Sequence, residues 1–223
     1  MIYELRQYTM RPGRRDTLIE LFEREFIEAQ EDAGMGVVAQ FRDLDSPDLF
    51  SWIRKFPDME SRRLALTAFY GGPVWKANRD AANATMIDSD DVLLLRPAAG
   101  APAPFAAADR PDRPPIGAGA LPSSRYVATI YHVGEGFSAF FADRVLPALA
   151  EAGVSPVACL ESEHAANTFP ALPVRTGENV FVWFARFDRA EDEHDVPLPM
   201  LADRLTAPPQ RLRLAPTARS ALR

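Results

Sequence analysis

The 223-residue sequence predicts an α+β protein in which two ferredoxin-like βαββαβ repeats of one chain close into a single α/β barrel, an intrachain pseudo-dimer. A segment dominated by Pro, Ala and Gly divides the chain, and the same order of elements recurs on both sides of it. Aromatic residues and Ala-Gly pairs also recur in register. The predicted units are repeat 1 over residues 1–96, a linker over residues 97–122 and repeat 2 over residues 123–223.

Repeat 1 opens with a β-rich run and an amphipathic helix. Leu18, Leu21, Phe22 and Phe26 fall at helical spacing on one face, and Ala33-Gly34 is typical of a helix end. Two strand-like runs and a second helical region follow, and a short apolar run closes the repeat. The predicted strands are Tyr3–Met10, Val37–Arg42, Leu49–Phe56 and Val92–Leu95.

Repeat 2 follows the same order in a matching register. Tyr131 falls on Tyr8, and Ala152-Gly153 falls on Ala33-Gly34. The predicted strands are Tyr126–His132, Val157–Leu160, Val182–Phe187 and Leu212–Pro216. In this register, Trp183 matches Trp52, whereas Val127, Thr129 and Ala185 replace Glu4, Arg6 and Arg54. The polar cluster therefore belongs to repeat 1 alone, and repeat 2 supplies an apolar counterpart.

Composition excludes several classes of function. The formal net charge is −6, so the chain lacks the basic surface that a nucleic-acid partner requires. No apolar run is long enough for a membrane span, and the N-terminus has no apolar signal core, so we expect a cytoplasmic protein. The single cysteine, Cys159, excludes an intrachain disulfide and a zinc site built on two cysteines.

The first strand carries the candidate catalytic residues. Alternation places Glu4, Arg6 and Tyr8 on one face of the strand and Leu5 on the other. Because the helix-facing side of a sheet is usually apolar, we expect Leu5 to face the helices and the three polar residues to face the barrel interior. Arg6 would hold a substrate carboxylate or enolate, Tyr8 would donate a proton, and Glu4 would act as orienting partner or base. The alternative is a structural Glu4–Arg6 ion pair capped by the Tyr8 hydroxyl.

The third strand and an aromatic segment complete the candidate site. A second helical region is predicted from Pro57-Asp58 to about Met86 and is broken at Gly71-Gly72-Pro73, with aromatic residues on both sides of the break. These rings either form the mouth of a binding site or pack between helices. The predicted substrate-binding residues are Arg54, Trp52, Tyr70, Trp75, Asn78 and Tyr131. With Arg54 near Arg6, two cations would face one anionic ligand.

No metal and no cofactor are predicted. His132, His164 and His194 show no paired ligand spacing, and none is placed to serve as an axial haem ligand. The sequence also has no glycine-rich nucleotide-binding motif and no nucleophile elbow.

Four segments of repeat 1 carry a resemblance to a known family: Tyr3–Tyr8, Trp52–Met59, Phe69–Trp75 and Ala81–Asp90. They resemble the NIPSNAP family of the dimeric α/β-barrel superfamily. Repeat 2 matches only by its strand pattern and a few aromatic residues. The resemblance implies the barrel fold. It does not select one activity, because members of the superfamily include cofactor-independent monooxygenases, haem enzymes and isomerases.

Two functions remain open from the sequence. The first is a barrel that binds a small, anionic or phenolic metabolite, as a cofactor-independent enzyme of the monooxygenase or isomerase type. The second is a non-catalytic protein-interaction or scaffold module. The expected partner is a small-molecule ligand, with no nucleic acid and no membrane. Both repeats lie in one chain, so dimerisation is not needed to close the barrel, although a homodimer through the outer helices stays open.

Overall fold

The computed structural model describes residues 1–106 and 113–223, and its centre is a closed, eight-stranded antiparallel barrel. Around the barrel the strands follow the order β1-β3-β2-β8-β5-β7-β6-β4, and β4 pairs with β1 to complete the ring. The strands are β1 (Ile2–Met10), β2 (Gly36–Asp43), β3 (Leu49–Phe56), β4 (Met86–Pro97), β5 (Arg125–His132), β6 (Pro156–Ser162), β7 (Val180–Phe187) and β8 (Gln210–Pro216). The predicted fold class is confirmed.

Each repeat forms half of the ring with the strand order of a ferredoxin-like sheet. Two short ladders join the halves, one between β2 and β8 and one between β4 and β6. Each repeat therefore covers the sheet edges of the other, so neither half has an unpaired edge strand.

The helices lie outside the barrel. Repeat 1 has a helical run of α1 (Arg15–Leu21), a π-helical turn (Phe22–Phe26) and α2 (Ile27–Asp32), and later α3 (Met59–Gly71) and α4 (Pro73–Asn83). Repeat 2 has a corresponding run of α5 (Phe137–Phe140), a π-helical turn (Phe141–Val145) and α6 (Leu146–Glu151). Both runs end at the predicted glycines, Gly34 with φ of 96° and Gly153 with φ of 75°, which only glycine adopts without strain.

The register predicted between the repeats is confirmed by the strand ladders. Arg6 pairs with Trp52 in repeat 1, and Thr129 pairs with Trp183 in repeat 2. A register shift also occurs at equivalent points, between Val37 and Ala39 and between Pro156 and Ala158. The two copies therefore share their backbone frame down to single residues.

Repeat 2 departs from the predicted order in its last third. The segment between β7 and β8 contains two 3-10 turns, Ala190–Asp192 and Pro199–Leu201, in place of an α-helical pair. Prolines explain the change, since each removes a backbone donor and blocks a continuing helix. They are Pro197, Pro199, Pro208 and Pro209.

The barrel interior is a packed apolar core. Side chains from all eight strands fill it, among them Leu5, Ile53, Phe184 and Leu214, each with no exposed surface. Eight strands leave an interior just wide enough for such packing. Leu5 therefore faces the interior, and the prediction that it faces the helices is wrong.

The segment after β4 also contributes to the interior. Phe105 is 1% exposed and packs against Tyr3 and Phe184, with ring centroids 6.0 and 5.0 Å away. Its φ of 54° is rare for a bulky residue, so burial of the ring outweighs an unfavourable backbone conformation. Leu222, near the C-terminus, belongs to the same core.

In the described ranges, no helix is long and apolar enough to cross a membrane.

If the interior is packed as described, Phe105→Ala lowers the free energy of unfolding by about 3–5 kcal/mol, because it leaves a cavity among buried rings. Urea denaturation measures the loss. Leu121→Ala is the matched control in the same connecting segment, since Leu121 is exposed, and we expect a change within about 0.5 kcal/mol. Similar losses in the two variants would contradict a packed interior closed by Phe105.

Candidate functional site

The polar residues of β1 lie between the sheet and the helices of repeat 1. Tyr8 and Trp52 belong to a buried cluster that includes residues of α1, α3 and the π-helical turn. Glu4 contacts Arg62 on α3, and Arg54 contacts Gln30 on α2. The prediction that Glu4, Arg6 and Tyr8 face the barrel interior is therefore wrong. The alternation was correct, but the two faces were assigned in reverse.

The Glu4 carboxylate is the centre of this layer. Its Oε2 accepts hydrogen bonds from Arg6 Nη1 and Arg54 Nε, both at 2.7 Å. Its Oε1 accepts from Arg62 Nε at 2.6 Å. One carboxylate thus connects β1, β3 and α3.

The buried charges of this cluster do not cancel. Glu4, Arg54 and Arg62 have no exposed side-chain surface, and Arg6 is 1% exposed. Three guanidinium groups against one carboxylate leave two positive charges. Within the described ranges, Glu4 is the only carboxylate in ion-pair distance of these arginines. Burial of net charge is costly, so this layer favours an anion.

The Glu4 carboxylate stays ionised. Burial alone would raise its pKa, but the guanidinium groups of Arg54, Arg6 and Arg62 outweigh burial and hold the pKa far below its usual range. A carboxylate so strongly held is a poor proton acceptor. The predicted role of Glu4 as a base is therefore disfavoured, and its role as orienting partner fits the contacts.

Tyr8 accepts a hydrogen bond from the cluster and keeps its own proton. Arg6 Nε donates a hydrogen bond to the Tyr8 hydroxyl oxygen at 3.0 Å, so the phenolic proton remains available to another group. Burial raises the pKa of Tyr8, and the nearby Arg6 only partly opposes this. Tyr8 is therefore a neutral hydrogen-bond donor.

A small cavity adjoins the cluster through Tyr8 and Gln30, which are hydrogen-bonded to Arg6 and Arg54. Its volume is about 30 Å³, the space of one water molecule. Its lining is aromatic apart from a few residues: Tyr8, Leu18, Phe22, Phe26, Gln30, Trp52, Phe69, Tyr70, Trp75, Ala82 and Met86. The structure thus brings four predicted site residues, Tyr8, Trp52, Tyr70 and Trp75, to one cavity.

Two of the aromatic rings that line the cavity pack on the guanidinium groups of Arg54 and Arg6. The Arg54 Cζ lies 5.1 Å from the Trp52 ring and 6.0 Å from the Tyr70 ring, and the Arg6 Cζ lies 5.6 Å from Trp52. Cation–π contacts of this kind offset part of the positive charge. The indole N–H of Trp52 is buried and has no hydrogen-bond partner among the described residues.

Repeat 2 covers one side of the site through its β6–β7 connection. Asn167 Oδ1 accepts from Arg62 Nη1 at 3.0 Å, and the Thr168 hydroxyl donates to the Met59 carbonyl at 3.1 Å. The Phe169 ring stacks on Tyr70 with the centroids 5.9 Å apart. The site of one repeat is therefore closed by a loop of the other.

Two predicted residues lie elsewhere. Asn78 donates to the Val74 carbonyl within α4 and does not line the cavity. Tyr131 lies in the corresponding layer of repeat 2. The described residues contain no group of three or more His, Cys, Asp or Glu side chains that could hold a metal ion.

Comparison with known proteins gives the family of repeat 1. The NIPSNAP family model matches residues 3–102. These residues form a NIPSNAP domain. No curated protein matches the sequence.

Solved structures resemble the barrel over nearly the whole chain, beyond the NIPSNAP domain. A putative monooxygenase from Fusobacterium nucleatum is 10% identical with a TM-score of 0.59, covering 97% of this chain and 92% of its own. One from Lactobacillus acidophilus is 10% identical with a TM-score of 0.56, covering 96% and 93%. An anthrone oxidase-like protein is 12% identical with a TM-score of 0.57, covering 100% and 94%. At these identities the likeness shows the fold alone.

Sequence reasoning missed Arg62, the third arginine of the NIPSNAP domain's cluster. The buried residues of α3 are Arg62, Ala65, Leu66 and Phe69, at spacings of three, four and seven residues. Arg62 therefore occupies the apolar face of the helix, and this position was the available signal. Gln30, also missed, is buried at the equivalent place on α2.

Because positive charge exceeds negative charge in the cluster, we expect removal of the carboxylate and removal of one arginine to lower the stability by unequal amounts. Glu4→Gln leaves three buried guanidinium groups without a carboxylate and should lower the free energy of unfolding by about 3–5 kcal/mol. Arg62→Met leaves Glu4 with two partners and should cost about 1–3 kcal/mol. Urea denaturation at neutral pH compares them, and Glu60→Gln, in an exposed ion pair with Arg63, is the control. Equal losses in the first two variants would contradict a surplus of positive charge.

Acidification should remove the contribution of Glu4. Its pKa in the folded protein lies below the value of about 4.3 in an unfolded chain, so the stabilisation is complete above that pH and is lost as the pH falls below it. The difference in unfolding free energy between the wild type and Glu4→Gln should therefore shrink between pH ~5 and pH ~2. A difference that stays constant over this range would show that folding does not lower the pKa of Glu4.

Proposed function

We propose that repeat 1 binds a small aromatic anion, a phenolate or enolate, between its sheet and helices. The observation that carries the proposal is the pair of uncompensated positive charges next to an aromatic-lined cavity. The rings would pack on an aromatic ligand, and the arginines would favour its deprotonated form. The sequence placed this ligand in the barrel interior, whereas the proposal places it in the layer outside the barrel wall.

Two hydrogen-bond donors would orient the ligand. The Tyr8 hydroxyl keeps its proton because burial raises the pKa of Tyr8, and this proton is free to be donated because Arg6 donates to the hydroxyl oxygen. The Trp52 indole N–H is buried without a partner, and an acceptor on the ligand would satisfy it. A ligand oxyanion near Tyr8 would thus receive a hydrogen bond and the field of Arg6 and Arg54.

Binding requires the cavity to open, because about 30 Å³ does not hold an aromatic ring. Tyr70 and Trp75 lie on either side of the α3–α4 junction, where the chain turns at Gly72. A Cβ at Gly72 would lie 2.9 Å from the Ala68 carbonyl oxygen, so only glycine fits this turn. Rotation of the two aromatic side chains about this junction would admit the ligand.

The proposed reaction is oxygen addition to the bound anion. Such an anion transfers electrons to dioxygen directly, so the substrate is the reductant. Overall, a methylene group and dioxygen give a carbonyl group and water, and Tyr8 supplies a proton to the reduced oxygen. Solved structures of similar fold carry monooxygenase and anthrone oxidase-like descriptions, which support this class. Isomerisation through the same anion would consume no oxygen, and oxygen uptake separates the two reactions.

The chromogenic probe 4-nitrophenol tests the anion site. At a pH below the pKa of the free phenol, we expect bound probe to absorb as the phenolate. Arg6→Gln should raise the apparent pKa of the bound probe by about one unit, which corresponds to ~1.4 kcal/mol. Absorbance titration measures the ionisation state of the bound probe and its apparent pKa.

Arg63→Gln is the matched control, because Arg63 is exposed and forms an ion pair with Glu60 on the same helix as Arg62. It should leave the spectrum of the bound probe unchanged. Probe that binds as the neutral phenol, or equal effects of Arg6→Gln and Arg63→Gln, would refute the anion site.

A further inference from the structure

A second pocket lies at the equivalent place in repeat 2. Its volume is about 170 Å³, and it lies on the outer face of β5 and β7. Its lining residues are Val127, Thr129, Tyr131, Val154, Trp183, Ala185, Phe187, His194, Asp195, Val196, Leu198 and Arg211. These residues define the repeat-2 pocket.

The space in this pocket arises because short side chains stand where repeat 1 has the charged side chains of its cluster. Val127 faces Ala185 across the ladder where repeat 1 has Glu4 facing Arg54. Thr129 stands where repeat 1 has Arg6. The same backbone frame therefore carries three short side chains in place of three long charged ones. The cavity is accordingly about 170 Å³ rather than about 30 Å³.

The base of the repeat-2 pocket is uncharged. Val127, Ala185 and Trp183 are 4%, 2% and 7% exposed. The charged groups lie at the rim, where Arg211 is already paired with Asp195 at 2.6 Å and with Glu193 at 3.3 Å. An anionic ligand would thus find no unpaired cation in this pocket, which favours a neutral ligand.

One polar group points to the chemistry of that ligand. The Trp183 indole N–H is buried and has no hydrogen-bond partner among the described residues. It lies close to the Tyr131 hydroxyl, but without hydrogen-bond geometry. An unsatisfied buried donor costs about 1–3 kcal/mol, and an acceptor on a ligand would recover this.

Size and cover limit the ligand to a single ring. An apolar cavity of about 150 Å³ accommodates benzene in another protein. The β7–β8 connection covers the pocket, and the His194 ring packs against Phe187 at 5.6 Å. This connection spans residues 188–209 and has two 3-10 turns instead of an α-helical pair, so it covers its pocket with a shorter segment than the α3–α4 cover of repeat 1.

We propose that the repeat-2 pocket binds a neutral, single-ring aromatic compound with one hydrogen-bond acceptor, which the Trp183 indole N–H recognises. This site is independent of the anion site of repeat 1, since the two lie on different repeats and share no lining residue.

Benzaldehyde and toluene test the proposal, because they share the ring and differ in the acceptor. Calorimetric titration of the full chain should show both binding, with benzaldehyde about tenfold tighter. Ala185→Leu fills the pocket and should weaken both compounds at least tenfold. Trp183→Phe keeps a ring in place and should remove the advantage of benzaldehyde while toluene binding is unchanged.

Ala82→Leu is the control for location, because Ala82 lines the repeat-1 cavity. It should leave the affinity of both compounds unchanged, whereas Arg6→Gln should alter 4-nitrophenol binding without altering benzaldehyde binding. No binding to the wild type, or binding that Ala185→Leu leaves intact, would overturn the pocket. If Trp183→Phe weakens the binding of both compounds equally, the proposed hydrogen bond from the indole N–H to the ligand is refuted. If 4-nitrophenol does not bind at the repeat-1 site, the results expected for benzaldehyde and toluene are unchanged.

Discussion

The ion pairs of Glu4 hold together the layer between the sheet and the helices of repeat 1. Its two carboxylate oxygens accept from arginines on β1, β3 and α3, so three elements distant in sequence meet at one side chain. Because aromatic rings exclude water from this layer, each charge depends on its partners rather than on solvent. The orientation of Tyr8 follows from Arg6, and Trp52 packs between the guanidinium groups of Arg6 and Arg54.

The two repeats show how one backbone frame supports different chemistry. Hydrogen bonds between strands fix the register of each half, whatever side chains point outward. The inward side chains are mostly apolar in both halves, because they pack against each other in one shared core. Only the outward positions are free to differ. Repeat 1 has charged side chains at these positions, whereas repeat 2 has short ones, which leaves space for a pocket.

The sequence was sufficient for the strands, the duplication and the register, because alternation and helical spacing report local geometry. It was not sufficient to assign the faces of β1. Both faces are buried, so the rule that apolar residues point inward gives no contrast between Leu5 and Arg6. The face was decided by partners remote in sequence. Arg62 on α3 and Gln30 on α2 can satisfy Glu4 and Arg54, whereas the barrel interior around Leu5 is filled by apolar side chains.

The β6–β7 connection makes the site of repeat 1 dependent on repeat 2. Asn167 holds Arg62 while Phe169 stacks on Tyr70, so the same loop contacts both the charged base and the aromatic cover. Repeat 2 also pairs with the edges of β2 and β4. A chain reduced to repeat 1 would therefore lose a wall of its site together with its edge pairing. Repeat 1 therefore depends physically on the second copy, even though that copy lacks the charged cluster.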